Sequence, residues 1–190
     1  MADGTIWWVR HGPTHAKGMV GWTDLPADLS DDLALQRLSA ALPDDLHIVS
    51  SDLSRTVATA DAIAGPRPRL TPLPALREMH FGAWEMRGHA EIEAEDPERI
   101  RAFWDRPGEV RPPGGESWNE LGNRVSTAVD GLLQDHSSLI AVAHFGVILS
   151  ELQRVVGWDG ETAFSQRIDP LSLTRIDYAT GEAPLINHRA

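Results

Sequence analysis

The sequence predicts an α/β chain, a three-layer αβα sandwich with a mostly parallel central sheet, and three observations carry that expectation. Apolar runs at Ile6-Trp7-Trp8-Val9, His47-Ile48-Val49-Ser50 and Leu139-Ile140-Ala141-Val142-Ala143 alternate with stretches of helical periodicity, the pattern of βαβ units. The first and last runs are apolar at consecutive positions, as in strands covered on both faces. Each run empties into a short polar segment, and open α/β sheets bind ligands at the carboxyl ends of their strands.

In chain order, Ile6 to Val9 reads as a buried strand that stops at Arg10-His11-Gly12-Pro13, since glycine and proline break the pattern. Ser30 then caps a helix bearing Leu33, Leu38, Ala41 and Leu42, which Pro43 ends. After the strand His47–Ser50, Ser51-Asp52 caps a helix with Leu53, Val57, Ala60 and Ile63 at helical spacing, closed by Gly65-Pro66. The run Leu70 to Leu76 holds two prolines and is at best a short edge strand. Residues 88–116 read as a lid-like excursion with short helices around Ile92 and from Ile100 to Trp104. Pro112-Pro113-Gly114-Gly115 closes it as a rigid turn. Ser117 and Glu120 form a capping box for a long helix with Leu121, Val125, Ala128, Val129 and Leu132 on one face. The strand Leu139–Ala143 passes into His144-Phe145-Gly146 and a helix through Val147, Ile148, Leu152 and Val155. Ser172–Tyr178 and Ala183–Asn187 flank Thr180-Gly181 as a hairpin. No linker divides the chain, so a single domain over residues 1–190 is expected.

Composition excludes several function classes. With 17 Lys and Arg against 28 Asp and Glu, the net charge is -11, which repels nucleic acid and anionic membranes at long range. Lys17 is the sole lysine, so arginines must converge locally if the ligand is an anion. The absence of cysteine removes disulfides, thiol catalysis and thiolate metal sites. His11 and His15 are four apart, but Gly12-Pro13 between them forbids the helix a metal pair would need. No metal and no cofactor are expected. No apolar stretch spans a bilayer, and Met1-Ala2-Asp3-Gly4 leads into the first strand without an export signal, so a cytoplasmic protein is expected.

Four junctions carry candidate chemistry. They are Arg10-His11-Gly12-Pro13-Thr14, the helix start Ser51-Asp52-Leu53-Ser54-Arg55, the segment Arg77-Glu78-Met79-His80-Phe81-Gly82-Ala83-Trp84-Glu85, and His144-Phe145-Gly146. A neutral imidazole is a competent nucleophile toward phosphorus, and a guanidinium holds phosphate oxygens in a bidentate grip. A helix N-terminus adds backbone donors for an anion.

In this order, the four segments resemble the histidine phosphatase superfamily, also called phosphoglycerate mutase-like, over nearly the whole chain. The resemblance implies that His11 becomes phosphorylated, that Arg10 and Arg55 bind phosphate, that His144 is the second pocket histidine, and that Glu78 donates the proton. It also places the Thr14 hydroxyl on the phosphate and the loop Gly21-Trp22-Thr23-Asp24 at the pocket border. Thr23, Trp22 and Trp84 are expected to touch substrate, and Phe145 to narrow the pocket beside His144. Glu85 is the lesser candidate for the acid.

The resemblance implies a phosphomonoesterase for a small phosphorylated metabolite. The stretch Gly82 to Gly114 is short beside the insertion of the cofactor-dependent mutases, which favours a phosphatase over phosphoglycerate mutase-type transfer. The segment Leu76 to Arg87 is similar to that of α-ribazole phosphatases, which points to α-ribazole 5'-phosphate and cobalamin biosynthesis. A non-catalytic relative that binds a phospho-ligand is the contrasting class, and the complete set of five residues stands against it. The sequence assigns no oligomeric state.

Overall fold

The computed structural model describes residues 3–190; Met1 and Ala2, read above as part of a leaderless start, lie outside it. Strands β1 (Thr5–Arg10), β2 (Ile48–Ser50), β3 (Ser138–Ala143), β4 (Leu173–Asp177) and β5 (Glu182–His188) form one sheet in the order β2-β3-β1-β4-β5. The pairs β1–β3 and β2–β3 are parallel, whereas β1–β4 and β4–β5 are antiparallel. The sheet is therefore mixed, which corrects the expectation of a mostly parallel one.

Chain path explains the difference. After β3 the helix α6 (Phe145–Val156) runs back from the carboxyl edge, and α7 (Gly160–Phe164) with the loop beyond it returns to that edge. Strand β4 therefore starts beside the end of β1, with Leu173 opposite Val9, and descends against it. The turn to β5 is too short for a parallel crossover, so the last pair is a hairpin.

Helices cover both faces. Ile6 and Trp8 of β1 pack with Leu139, Ala141 and Ala143 of β3 against α6 and α5 (Trp118–Asp135). The alternate residues Val9, Ile140 and Val142 face Leu35 and Leu38 of α1 (Asp32–Ala40) and Ala60 and Ile63 of α2 (Ser54–Ile63). Period-two alternation thus splits each apolar strand between two cores, and each buried Leu or Ile contributes roughly 1.5–3 kcal/mol. In the excursion, α3 (His89–Glu95) and α4 (Pro97–Asp105) bury Ile92, Ile100 and Phe103 in the α5–α6 core. None of the described helices is long and apolar enough to cross a membrane.

Several local expectations differ. Asp31, not Ser30, caps α1 by accepting from the Ala34 amide, and Leu33 is 56% exposed while Leu35 turns inward. Helix α2 has no side-chain cap of its own. Asp24 reaches across from another loop to accept from the Ser54 amide at 2.8 Å, while Asp52 pairs with Arg77. The run after Arg67 follows β2 through Ile48 N–H to Pro68 O and Leu70 N–H to Ile48 O, then coils into a 3-10 turn at Pro74–Leu76. The α5 capping box forms as expected.

Candidate active site

The parallel strands end in register, Arg10 opposite Ala143 and Ser50 opposite Val142. His11 N–H donates to Ala143 O and Ser51 N–H to Val142 O, extending both ladders by one residue. Three adjacent strand ends therefore deliver His11, His144 and Ser51 to one edge of the sheet. The rings of His11 and His144 lie 5.1 Å apart, tilted by 62°.

His11 Nδ1 lies 2.6 Å from the Gly12 carbonyl oxygen. That contact requires a proton on Nδ1 and leaves the Nε2 lone pair free. Burial, followed by the nearby charges of Arg55 and Arg10, pushes the His11 pKa down to about 3, against the opposing pull of the Gly12 bond. The ring is neutral at physiological pH, as a nucleophile must be. His144 Nδ1 accepts from Arg55 Nε at 3.3 Å, so its Nε2 carries the proton toward Ser51 Oγ at 2.8 Å. Ser51 Oγ lies 2.6 Å from Thr56 Oγ1, which donates to Leu53 O. Burial, His11 once it is itself protonated, and the charge of Arg55 hold His144 well below the usual imidazole range.

Arg55, 1% exposed in the first turn of α2, donates to Thr23 O at 3.0 Å and Gly21 O at 2.6 Å. Those carbonyls are themselves held. The Glu85 carboxylate accepts from the amides of Gly21, Trp22, Thr23 and Phe81 and from the Thr23 hydroxyl at 2.8–3.2 Å. Burial opposes the Glu85 charge, but these donors override it and keep its carboxyl below the usual range. Glycine is required at Gly21, because a Cβ there would run into the Met79 carbonyl. Arg10 donates to Ile168 O at 2.5 Å and lies over the Phe145 ring at 5.3 Å.

Glu78 is 7% exposed, and both its oxygens lie 3.1 Å from the Gly146 amide at the start of α6. A side chain at Gly146 would collide with Glu78 Oε1. Burial raises the Glu78 pKa, and the Gly146 and Met79 amides with Arg55 and Arg10 offset this only in part. Arg124 of α5 fixes the backbone here by donating to Ala75 O, Arg77 O and Glu78 O, and it pairs with Glu116. The edge thus combines a neutral imidazole with a free Nε2, guanidiniums on two sides, and a carboxyl biased toward its acid form. That set can accept a phosphoryl group and protonate what it leaves behind.

The family model described as "Histidine phosphatase superfamily (branch 1)" matches residues 6–189. The chain belongs to this superfamily. Its members are phosphatases or mutases. An "Adenosylcobalamin/alpha-ribazole phosphatase" of Escherichia coli is 30% identical, with 97% of this chain and 96% of the relative covered. A "Probable phosphoglycerate mutase GpmB" of Proteus mirabilis is also 30% identical, covering 91% and 84%. The crystal structure of the alpha-ribazole phosphatase from Shigella flexneri superposes with a TM-score of 0.82 at 29% identity, over 98% of this chain and 97% of that one.

In this histidine phosphatase superfamily member, Arg10, His11, Arg55, Glu78 and His144 are brought together from four separate segments. Thr14 follows in the His11 loop, half-buried. Trp22 stands partly exposed beside Glu78, its indole N–H on the Glu78 carbonyl and its ring under Arg77. The Thr23 hydroxyl is spent on Glu85, because the loop needs it to close around that carboxylate. Trp84 is not brought to the site; it is 2% exposed, packed edge-on against Phe103 in the core. Sequence reasoning missed the positioning parts: Glu85, weighed there as a rival acid, Ser51, taken as a helix cap, and Arg124. Only Ser51 gave a usable signal, its place directly after a strand.

Proposed function

We propose that the chain is a phosphomonoesterase that hydrolyses a small phosphorylated metabolite through a phosphohistidine on His11. The observation that carries this is the state of His11: neutral, with Nδ1 tied to Gly12 and Nε2 free, between Arg10 and Arg55. In the first half-reaction His11 Nε2 attacks phosphorus in line with the ester oxygen. Arg10, Arg55 and His144 take up charge on the equatorial oxygens, and the P–O bond breaks as Glu78 gives its proton to the departing alkoxide. In the second half, the Glu78 carboxylate removes a proton from water, whose oxygen attacks phosphorus and returns His11. Thr14 and Trp22 line the entry.

The substrate we favour is α-ribazole 5'-phosphate, because relatives carrying that name align over nearly their full length and this one's. Phosphoglycerate mutase-type transfer is the second reading, favoured by the equally identical Proteus mirabilis relative.

The test is phosphate release from an aryl phosphate, with enzyme quenched in alkaline detergent assayed for a phosphoryl group that is stable in base and labile in acid. His11→Ala is expected to abolish both signals, and chelators to change neither. Activity in that variant, or activity lost to a chelator, would overturn the proposal. Conversion of 3-phosphoglycerate to its isomer, rather than to free phosphate, would favour the second reading.

A further inference from the structure

Among the described residues the Arg10 guanidinium has one hydrogen-bond acceptor, the Ile168 carbonyl at 2.5 Å. The amide N–H of that same peptide group, on Asp169, donates to Asn187 Oδ1 at 2.6 Å. No described peptide bond is cis, and in a trans peptide the C=O and N–H point in opposite directions. The Ile168–Asp169 peptide is therefore gripped from both sides, by Arg10 on its oxygen and by Asn187 on its hydrogen. Arg10 Nε is buried and has no acceptor within the protein, so its N–H remains for a phosphoryl oxygen.

Asn187 reaches that amide through a distortion of the last strand. In the β4–β5 hairpin Leu173 lies opposite His188 and Arg175 opposite Leu185, so Ile186 and Asn187 stand together opposite Thr174. A bulge of this kind re-aims a side chain and is common beside active sites. Asn187 takes the left-handed backbone, at φ 54°, which asparagine adopts more readily than most non-glycine residues. Its own N–H donates to the Thr174 hydroxyl at 3.1 Å. The bonds of Asp169 to Arg167 and Ser172 lie within one loop and move with it. The Ile168 side chain is buried in the α5–α6 core and fixes where the loop sits. The bond to Asn187 fixes how the peptide beyond it is turned.

We propose that Asn187 is a positioning residue for Arg10, and that the bulged C-terminal strand thereby sets the affinity of the site for a phosphoryl group. The inference rests on the phosphomonoesterase reading, in which Arg10 holds the phosphoryl oxygens. Strand β4 separates β5 from β1 in the sheet, so Asn187 acts through the Ile168–Asp169 peptide and not by touching the ligand. A guanidinium grips two oxygens only when its planar fork is correctly turned. Rotation of the Ile168 carbonyl would spoil that fork while leaving the charge in place. The bond from the Asp169 amide also polarises the peptide, which strengthens the Ile168 oxygen as the acceptor for Arg10.

The test measures the dissociation constant of inorganic phosphate by calorimetry, which needs no turnover, alongside kcat/KM for p-nitrophenyl phosphate. Asn187→Gly tolerates the left-handed backbone and removes only the side-chain amide. It should raise the phosphate dissociation constant and lower kcat/KM by the same factor, ~10–100-fold, the scale of a misplaced catalytic group. Asn187→Ala should show the same loss and also a lower unfolding midpoint, because alanine is strained at φ 54°. In an Arg10→Lys background, which keeps the charge but not the fork, Asn187→Gly should add almost nothing. Wild-type phosphate affinity in Asn187→Gly, or an undiminished loss in the Arg10→Lys background, would overturn this inference and leave the phosphomonoesterase standing. So would a loss that follows the unfolding midpoint, larger in Asn187→Ala than in Asn187→Gly. Phosphate affinity weakened as expected, with no turnover by the wild type, would uphold the role of Asn187 and overturn the proposed function. No binding of phosphate by the wild type would overturn both.

Discussion

Glu78 and Glu85 belong to one segment, yet their surroundings hold them in opposite states. Glu78 has amide partners at Met79 and Gly146 and is otherwise enclosed, so burial wins and its pKa rises. Glu85 is ringed by donors and stays ionised. Two expectations follow from that difference. The kcat/KM of an alkyl phosphate should fall as pH rises through the raised Glu78 pKa, because the acid form is then lost. Glu78→Gln should remove that alkaline limb and slow alkyl esters about 10²–10⁴-fold, while p-nitrophenyl phosphate, whose leaving group needs no proton, slows far less. An equal loss on both esters would count against Glu78 as the acid. Glu85→Gln should act through Arg55, by loosening the carbonyls of Gly21 and Thr23 that grip it. Small misplacements of a catalytic group cost about 10²-fold, so kcat/KM should fall by that order and the inhibition constant of inorganic phosphate should rise. A lower unfolding midpoint with unchanged phosphate inhibition would instead confine Glu85 to holding its loop.

Among the elements, α5 shows how much a short motif can specify. The Ser117 hydroxyl accepts from the Glu120 amide, the Glu120 carboxylate accepts from the Ser117 amide, and Ser117 is fully buried. Ser117→Ala should cost about 1 kcal/mol, a drop of about 2–4 °C in the unfolding midpoint for a chain of this size. A shift within error would mean that packing of Leu121 and Val125 alone sets the start of α5. This box was legible because both partners lie in one turn of sequence. Helices α1 and α2 were legible in their apolar faces but not in their caps. Ser30 and Asp31 both satisfy the cap preference, and only backbone geometry separates them. Asp24 caps α2 from 30 residues away, a contact local spacing cannot show. The same distinction runs through the site. His11, Arg55 and His144 announce themselves at strand and helix ends, whereas the Glu85 cradle and the Arg124 clamp are assembled by tertiary packing. Trp84 was misread for the converse reason, since a loop motif does not disclose which way an indole turns.

At the scale of the whole molecule, strand pairing was the least legible feature, because the direction of β4 depends on how α7 and its loop return the chain. Electrostatics was more so. A net charge of -11 requires local cations for an anionic ligand, and Arg10 and Arg55 supply them beside His11 and His144. Burying two neutral imidazoles among guanidiniums then makes folding depend on pH. For His11 the folded pKa, about 3, lies below the ordinary value of 6.5, so between these values the unfolded chain binds more protons than the folded one. Its contribution is therefore fully present above about pH 6.5 and is lost as pH falls toward 3. His144 acts in the same direction. Glu78 and Glu151, both raised by burial, act oppositely: their contributions are present below the ordinary carboxylate range and are lost as pH rises through their folded pKa values. Urea unfolding followed across pH should show stability climbing from acid toward neutrality. His11→Gln should reduce that slope between about pH 6.5 and 3 by up to one proton, ~1.4 kcal/mol per pH unit. An unchanged slope would mean that His11 takes up its proton in the folded state as readily as in the unfolded one, and would remove the basis for treating it as a neutral nucleophile.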